Sequence, residues 1–402
     1  MKKILLTTYM FLPQIGGAQY YYYHLCKNLP QDSIFVLVGR RFDRKDEDRL
    51  KQEAGFYIKY TDLHWGSFLR KWFSLLFYIS REVVRHNIDV LWAGEVLPTG
   101  LAVYVASRIF DIPYFVTTHG ADVLNPIQKT GIRGKWKRFL VRWVLKNAAF
   151  VVANTEYTRL QVEKYSIDRD KTIVVYPCPS ISPDIQNIEK DDTIQTIESL
   201  KQEGWKIVLT TARAVRRKGI DMVIQAMPYV WQERPETLYV VVGEGAYKKE
   251  LVKMAEDTGH KDKIMFIDFV SDNKLTYLYS LCDVYVMIPR VVDGLVEGFG
   301  IVYLNAGLFA KPVIGSKVGG VPEAIIDFYD NNYDTATGLL VNNPQNPREI
   351  AKKILMLVKD TGMAEKFGAN NKKYAEKFTY SKEAEKIRQK VESITEQADS
   401  NT

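Results

Sequence analysis

Short apolar runs alternate with longer amphipathic or polar segments from the beginning of the chain. Five such runs in the first half cover residues 3–8, 33–38, 90–93, 114–117 and 150–153. Each has the length of a buried β-strand, and each is followed by a segment of helical length. This alternation predicts right-handed βαβ units and therefore a parallel sheet.

A second series of apolar runs begins after a polar, acidic stretch. Its predicted strands cover residues 206–211, 238–242, 264–266, 284–287 and 312–314. Because 402 residues exceed what one hydrophobic core usually organises, we predict an α/β protein with two doubly wound domains. The predicted parts are an N-terminal domain (1–181), a linker (182–204), a C-terminal domain (205–375) and a C-terminal helix and tail (376–402). Ser381 is the predicted N-cap of that last helix.

The composition, 46% hydrophobic and 26% charged residues, is typical of a globular protein. The three cysteines lie far apart in the sequence, without metal-type spacing, and are too few for disulfides to stabilise a chain of this length. A reducing, cytoplasmic compartment is therefore expected. Lys2 and Lys3 precede apolar residues as in a signal peptide, but Thr7 and Thr8 interrupt the run and no cleavage site follows. A buried first strand is the better interpretation. No segment reaches the roughly 18 uncharged apolar residues that a membrane span needs.

Positive charge is concentrated in the first half of the chain. Residues 1–180 contain 26 Lys and Arg against 16 Asp and Glu, whereas the whole chain carries a net charge of +7. This excess predicts an anionic partner or surface for the first half. No nucleic-acid recognition motif accompanies it, so a nucleic-acid partner is not expected.

Four cations follow the first strand of the second series. They are Arg213, Arg216, Arg217 and Lys218, and Gly219 and a predicted helix come directly after them. Guanidinium and ammonium groups beside a helix N-terminus suit a diphosphate. A solvated basic turn is the alternative.

A second motif, Glu297-Gly298-Phe299-Gly300, precedes an apolar helical run. Glycines allow backbone N–H groups to approach a ligand, and a helix N-terminus favours an anion. Glu297 can accept hydrogen bonds from sugar hydroxyls. The alternative is an ordinary strand-to-helix turn with a carboxylate at the helix N-terminus.

These two motifs resemble those of the family 4 glycosyltransferases of the GT-B fold, and the resemblance covers nearly the whole chain. Arg213 and Lys218-Gly219 match the family's pattern of Arg, four residues and Lys-Gly. Glu297 matches the first Glu of the second signature, but Asn305 stands where the family has another Glu, which usually holds the nucleotide ribose. An amide can still form hydrogen bonds with ribose hydroxyls.

The first half of the chain resembles the same family. Gly16 and Gly17 follow the first strand, and the turn that contains His119 resembles the family's His-Gly turn near the transferred sugar. The resemblance implies a catalytic set of His119, Arg213, Lys218 and Glu297. It implies a donor-binding set of Gly16, Gly17, Gly243, Gly298, Phe299, Gly300 and Asn305.

The resemblance also implies an architecture and a reaction. We expect two Rossmann-like domains facing a cleft, with the C-terminal helix packing back on the N-terminal domain. We expect transfer of a hexose from GDP-mannose or a UDP-sugar to a glycan or lipid-linked acceptor, with retention of configuration. Residues 293–304 look most like bacterial lipid-linked mannosyltransferases. No Asp-x-Asp motif stands in a position suited to the donor, so neither a metal nor a cofactor is expected.

Residues 133–148 predict a basic amphipathic helix. Trp136, Phe139, Leu140, Trp143 and Val144 share one face in this pattern, and Lys135, Arg138, Arg142 and Lys146 gather on another. Such a helix can lie on an anionic membrane, with Lys135, Trp136, Arg138, Arg142 and Trp143 in contact. It can equally pack on the sheet with a solvated basic face. A second stretch, 68–79, is apolar nearly all round and is predicted to be core. We expect a cytoplasmic protein, peripheral to the inner face of the cell membrane.

Two other functions fit the same architecture. A nucleotide-sugar epimerase would act on the donor without an acceptor, and a non-catalytic nucleotide-sugar-binding protein would account for Asn305. A Rossmann dehydrogenase is excluded because no Gly-x-Gly-x-x-Gly follows the first strand.

Overall fold

The computed structural model describes residues 2–14, 16–39, 45–61, 68–128, 131–185, 191–268 and 270–400. The chain divides into two compact units. The first contains Met1–Pro177 and Phe378–Thr402, and the second contains Cys178–Lys377. Among the helices of the described residues, none combines the length and the apolar character that a bilayer crossing requires.

The first unit is built on a parallel sheet. Its strands are β1 (Ile4–Thr8), β2 (Ile34–Gly39), β3 (Tyr57–Thr61), β4 (Val90–Ala93), β5 (Tyr114–Thr118), β6 (Phe150–Ala153) and β7 (Thr172–Val174), in the order β3-β2-β1-β4-β5-β6-β7. The helices between them are α1 (Gly17–Lys27), α2 (Lys45–Ala54), α3 (Phe68–His86), α4 (Thr99–Phe110), α5 (Ala121–Gln128), α6 (Gly131–Asn147) and α7 (Glu156–Glu163). The order reverses between β1 and β4, and ligands of such sheets bind beyond the carboxyl ends of the strands at this point.

The second unit repeats this plan. Its strands are β8 (Lys206–Thr211), β9 (Thr237–Val242), β10 (Ile264–Ile267), β11 (Val284–Val286), β12 (Val313–Ser316) and β13 (Gly338–Val341), in the parallel order β10-β9-β8-β11-β12-β13. Its helices are α8 (Asp192–Gln202), α9 (Ile220–Glu233), α10 (Lys248–Asp257), α11 (Asp272–Leu281), α12 (Ile301–Leu308), α13 (Pro347–Lys359) and α14 (Thr361–Ala375). The order reverses between β8 and β11.

The predicted α/β class and both doubly wound sheets are confirmed, and each of the ten predicted strands is present within one or two residues. Three strands were not predicted: β3, β7 and β13. All three lie at sheet edges. Edge strands are covered less completely than central ones, so their sequences need not form a long apolar run. The segments Tyr57–Thr61 and Thr172–Val174 mix buried and half-buried positions accordingly, whereas Gly338–Val341 is fully buried but is a run of only four residues.

Two local predictions were wrong. The predicted linker, 182–204, contains α8, whose Ile194 and Ile197 are fully buried and which packs on β8 and α11 of the second unit. Ser381 is not the N-cap of the last helix, α15 (Tyr380–Ser400), because the Thr379 hydroxyl accepts the backbone N–H of Lys382 instead.

The expected return of the C-terminal helix to the first unit is confirmed. Helix α15 packs on α1, where the Tyr380 ring stacks on His24 at a centroid distance of 5.0 Å. Near the end of the first unit's sheet, the Glu383 carboxylate accepts the backbone N–H of Tyr176 at 2.8 Å. The helix thereby covers the chain segment that leads out of the first unit.

Candidate active site

A half-buried ion cluster lies beyond the carboxyl ends of β8 and β11, where the order of the second sheet reverses. Lys218 Nζ and Arg217 Nη1 lie 2.6 Å and 2.8 Å from the same oxygen, Oε2 of Glu297. The other oxygen, Oε1, has no hydrogen-bond partner in the described part of the chain. Glu297 therefore keeps one free acceptor while it holds two cations.

Burial and charge act together on the ionisation of this cluster. Burial works to raise the pKa of Glu297, but the attraction of Lys218 and Arg217 outweighs it, so the pKa lies below the ordinary value. Burial lowers the pKa of Lys218; Glu297 opposes this change, and the positive charges of Arg217 and Arg213 add to it. Because a nearby anion favours the charged ammonium, an anionic ligand would raise the pKa of Lys218 again.

Arg213 is the third cation at this site. It follows β8, its side chain is exposed, and it forms no ion pair with any described residue. Two cations bind the carboxylate of Glu297, and Arg213 lies close enough to Lys218 for its positive charge to lower the pKa of that lysine. The site carries an excess of positive charge at the place where this type of sheet binds its ligand.

Gly219 fixes the turn that presents Lys218. Its φ is +70°, and a Cβ atom there would lie 1.8 Å from the backbone oxygen of Ile288. Only glycine satisfies both the left-handed conformation and this contact. Next to it, both Nη atoms of Arg290 bind the carboxylate of Asp221, at 3.0 Å and 2.6 Å. This pair ties the first turn of α9 to the chain that follows β11.

The Gly298-Phe299-Gly300 segment lies between Glu297 and α12. Phe299 is buried, and α12 begins at Ile301, directly after Gly300. Its N-terminal turn is therefore adjacent in sequence to Glu297, at the end of the sheet where Lys218 and Arg217 lie. Gly319 holds this segment from the other side: its φ is +62°, and a Cβ would lie 2.2 Å from the Glu297 backbone oxygen.

Two residues of the expected donor-binding set have internal partners. Asn305 is buried; its Oδ1 accepts the Ser180 backbone N–H at 3.1 Å, and its side chain hydrogen-bonds to Tyr279. The Gly243 N–H donates to the Ile267 carbonyl at 2.9 Å. These two groups stabilise the second unit, so a role in donor binding would have to use other atoms of the same residues.

In the first unit, the expected residues lie beyond the carboxyl ends of β1 and β5. Gly16 and Gly17 begin α1, and the Gly16 carbonyl accepts the Tyr20 N–H at 3.1 Å. His119 follows β5, and its Nε2 lies 2.7 Å from the hydroxyl oxygen of Tyr22 on α1. Burial lowers the pKa of His119 to about 4. The imidazole is therefore neutral at physiological pH.

Asp122 lies in the same turn. Its Oδ1 accepts the His119 backbone N–H at 3.1 Å, whereas Oδ2 is buried without a partner in the described chain. Burial raises the pKa of Asp122 to about 6. A neutral imidazole and a carboxyl group with a raised pKa thus lie side by side.

Helix α6 presents an aromatic stripe to the outside. Trp136, Phe139 and Trp143 are 62%, 51% and 43% exposed, and Ile132 continues the stripe by one turn. The rings of Trp136 and Phe139 stack at 5.5 Å. The prediction of a single apolar face on α6 is wrong in one respect. Val144 points inward with Gly134, Val141 and Leu145. Helix α6 therefore has one apolar face in the core and another that is exposed.

Six Lys and Arg and no acidic residue accompany this stripe. Lys135 and Arg142 are exposed. Arg138 differs from them, because its Nη1 donates to the Pro126 and Ile127 carbonyls at the end of α5. Arg138 is therefore partly a structural contact.

The prediction that residues 68–79 form core is wrong for two aromatic side chains. Phe73 and Phe77 on α3 are 61% and 63% exposed, whereas Leu75 and Ile79 are buried. Helices α3 and α6 both pack on α4, so they lie on the same side of the sheet. The first unit therefore exposes aromatic side chains on two helices that lie on the same side of its sheet.

Two protein-family models match this chain. A family model described as Glycosyl transferases group 1 matches residues 191–374, and one described as Glycosyltransferase Family 4 matches residues 15–179. Between them these models span both clusters and every strand of the two sheets except β1. The chain belongs to the family 4 glycosyltransferases.

Two relatives of this glycosyltransferase are mannosyltransferases by name. The GDP-mannose-dependent alpha-(1-6)-phosphatidylinositol monomannoside mannosyltransferase of Mycolicibacterium smegmatis is 26% identical over 330 residues, which are 81% of this chain and 83% of the relative. The enzyme of Corynebacterium glutamicum named for the monoacylated form of that acceptor is 25% identical over 355 residues, 85% of this chain and 84% of the relative.

Solved structures share the fold of the whole glycosyltransferase. Anabaena HepE in complex with UDP and glucose superposes with a TM-score of 0.76 at 20% identity and covers 98% of this chain and 100% of its own. Sucrose-phosphate synthase from Thermosynechococcus elongatus gives 0.77 at 19% identity, with 98% and 99% covered. These likenesses confirm the GT-B fold.

Two residues of the clusters were missed as individual site residues. Arg217 belongs to the predicted run of four cations, but its sequence position does not distinguish it from Arg216, whose guanidinium lies over the Tyr247 ring instead. Tyr22 is one of four consecutive tyrosines, and only the position of β5 beside α1 identifies it as the neighbour of His119.

Proposed function

We propose that this glycosyltransferase transfers a hexose from GDP-mannose or a UDP-sugar to a glycan or lipid-linked acceptor, in the synthesis of cell-surface polysaccharide or glycolipid. The observation that carries the proposal is the binding of both Arg217 and Lys218 to the one carboxylate of Glu297, with Arg213 near Lys218 as a third positive charge. Its surplus of positive charge suits a sugar diphosphate. The names of the two mannosyltransferase relatives support a GDP-mannose donor and a lipid-linked acceptor.

In this proposal Arg213 and Lys218 bind the diphosphate and stabilise the charge that develops on it as the sugar leaves. Groups that are already in place in a water-poor site do this with little reorganisation. Glu297 orients the sugar through its free Oε1, and His119 contacts a sugar hydroxyl near the reacting carbon. The backbone around Gly298-Phe299-Gly300 adds the amides of a helix N-terminus.

The proposed transfer takes place on one face of the sugar. The bond from the anomeric carbon to the diphosphate oxygen breaks, a bond to the acceptor oxygen forms on the same face, and the departing diphosphate takes the acceptor's proton. The anomeric configuration is retained. Arg213 and Lys218 supply the positive charge that a metal ion provides elsewhere, so we propose a metal-independent enzyme with no cofactor besides its nucleotide-sugar substrate.

We propose further that the protein is cytoplasmic and binds peripherally to the inner face of the cell membrane. The exposed Ile132, Trp136, Phe139 and Trp143 lie beside exposed cations on α6. Aromatic side chains insert at the level of the lipid headgroups, and cations attract anionic lipids. This surface would hold the enzyme beside a lipid-linked acceptor.

Asn305 favours a second candidate, a protein that binds nucleotide sugars without transfer. The family's usual carboxylate at this position holds the ribose, and here an amide oxygen is already occupied by the Ser180 N–H. A weakened ribose contact would leave donor binding to the phosphate cluster alone.

A thermal-shift panel of nucleotide sugars, followed by transfer assays with the donor that stabilises the protein, tests the proposal. A ligand at 100 times its Kd stabilises a protein by about 2.7 kcal/mol. We expect stabilisation by one donor, no stabilisation of the Lys218→Ala variant, and transfer to a lipid-linked acceptor. Stabilisation without transfer over a wide range of acceptors would favour the binding protein, and conversion of the donor sugar without any acceptor would favour an epimerase.

A further inference from the structure

The imidazole of His119 is enclosed by two tyrosines of α1. The Tyr21 and Tyr22 rings meet it edge-on, at centroid distances of 5.7 Å and 5.2 Å. The two phenol groups differ in their hydrogen bonds. The Tyr21 hydroxyl donates to the Val175 carbonyl at 3.0 Å, whereas the Tyr22 hydroxyl oxygen lies 2.7 Å from His119 Nε2.

The Tyr22 hydroxyl has one proton to donate, and its hydrogen-bond partners determine which group accepts it. This hydroxyl also forms a hydrogen bond with the Gly94 carbonyl, and a carbonyl oxygen can only accept. Tyr22 must therefore donate to Gly94, and the proton of the Tyr22–His119 bond must come from Nε2. The hydrogen-bond pattern thus assigns the tautomer of His119, as such patterns do where hydrogens are not observed.

The opposite nitrogen, Nδ1, then carries a lone pair. It has no hydrogen-bond partner among the described residues, and it is not one of their buried unpaired atoms. A neutral imidazole with this tautomer offers one acceptor and no second donor. Its lowered pKa agrees with that neutral state.

We propose that Tyr22 is a positioning residue, which holds His119 as the Nε2–H tautomer so that Nδ1 accepts a hydrogen bond from a hydroxyl of the transferred sugar. The inference rests on the proposed function for the identity of the ligand. Chemically, a neutral acceptor binds a hydroxyl beside the reacting carbon without placing a positive charge next to a carbon that itself becomes positive as the diphosphate leaves.

The geometry of α1 explains why Tyr22 can fill this role. Tyr22 is fully buried, and the Trp92 ring of β4 meets it edge-on at 5.7 Å, so its ring has little freedom to move. The charged or titratable groups around it are Glu95, Asp122 and Tyr21. The Glu95 carboxylate is itself bound by the hydroxyls of Thr8 and Thr99, at 2.6 Å and 2.8 Å, so it does not compete for the imidazole.

Nitrogen-15 NMR of the free protein labelled at histidine tests the tautomer without any assay of transfer. The chain has five histidines, and His119→Gln assigns the signal. We expect a protonated Nε2 and an unprotonated Nδ1 in the parent protein. Tyr22→Phe should give a mixture of tautomers, whereas Tyr21→Phe, which removes a hydroxyl from the same helix and the same imidazole environment, should leave the signal unchanged.

A protonated Nδ1 in the parent would overturn the inference, and so would an identical spectrum for Tyr22→Phe. Because the parent spectrum alone is decisive, poor folding of the Tyr22→Phe variant would not leave the inference untested.

Mono-deoxy donors test the role of Nδ1. With the complete donor, Tyr22→Phe should lower kcat about tenfold and leave the donor KM nearly unchanged, whereas Tyr21→Phe should match the parent. With the one deoxy donor that lacks the bound hydroxyl, parent and Tyr22→Phe should have equal kcat. An undiminished tenfold loss with every deoxy donor would refute the contact. If the tautomer is as expected but no nucleotide sugar is transferred, the proposed function fails while the Tyr22–His119 relationship stands.

Discussion

Lys218 Nζ lies 2.6 Å from a carboxylate oxygen of Glu297, although 79 positions separate the two residues in the chain. The pair joins the turn after β8 to the loop after β11, the two strands at which the order of the second sheet reverses. Without a donor, Glu297 is the counter-ion of Lys218 and Arg217. We expect a diphosphate to share these cations when it binds.

The first prediction concerns the cations that we propose bind the diphosphate. Lys218→Ala and Arg213→Ala should each lower kcat/KM about 100-fold or more, because each removes a positive group aimed at the leaving diphosphate. Circular dichroism and the thermal midpoint should show an intact fold. Lys249→Ala, which removes an exposed lysine from α10, is the matched control. Rates near that of the parent in both variants, at saturating donor, would mean that the diphosphate binds elsewhere.

The second prediction concerns metals. Transfer should survive excess EDTA, because Arg213 and Lys218 neutralise the phosphates, and a divalent ion would require oxygen ligands. No group of three or more His, Cys, Asp or Glu residues suited to a metal is found among the described residues. The measurement is the initial rate before and after chelation, with and without added magnesium or manganese. A loss of activity that these metals restore would contradict the metal-free mechanism.

The third prediction concerns the membrane. The protein should sediment with vesicles that contain anionic lipid and bind neutral vesicles weakly, and rising salt should weaken binding because it screens the attraction. Lys135→Glu with Arg142→Glu should abolish sedimentation while donor binding persists. Arg138 is left in place in this variant, because it supports the end of α5.

The charge-matched control for this experiment is Lys372→Glu with Lys373→Glu, two exposed lysines of α14 in the second unit. It changes the net charge equally and should still sediment. Equal loss in both double variants would indicate a general charge effect. Persistent sedimentation of the α6 variant would place the membrane contact on another surface.

The fourth prediction concerns pH. Burial lowers the pKa of His119 to about 4, so His119 lowers stability as the pH falls from about 6.5 to 4, where the unfolded chain binds a proton and the folded one does not. Burial raises the pKa of Asp122 to about 6, so Asp122 has the opposite effect and lowers stability as the pH rises from about 4 to 6. In the parent the two effects oppose each other.

Single substitutions should separate the two effects. As the pH falls from 6.5 to 4, the free energy of unfolding of His119→Gln should rise relative to that of the parent. As the pH falls over nearly the same range, that of Asp122→Asn should decrease relative to the parent. Each change should be at least about 1 kcal/mol, since one pH unit corresponds to about 1.4 kcal/mol. Thermal midpoints measured at several pH values provide the comparison. If the thermal midpoints of both variants changed with pH in the same way as those of the parent, the assigned burial of both groups would be contradicted.

The sequence by itself was sufficient for the α/β class, the central strands and the positions of the motifs that we propose bind the diphosphate. These features depend on local patterns. A run such as Ile4–Thr8 or Lys206–Thr211 is apolar because helices cover both faces of a parallel sheet, and a motif that follows such a strand must lie at its carboxyl end. The edge strands β3 and β7 were not predicted because their residues are less completely buried, and β13 was not predicted because its buried run has only four residues.

The tertiary structure decided which side chains meet and which remain outside. Apolar spacing on α3 and α6 cannot show that Phe77 and Trp136 are exposed while Ile79 and Val144 are buried, because the pattern is apolar on more than one face and only the packing partner selects the buried one. The same holds for Arg217 with Glu297 and for Tyr22 with His119. Each of these pairs joins residues from different βα units, and only the order of strands in the sheet brings them within hydrogen-bonding distance.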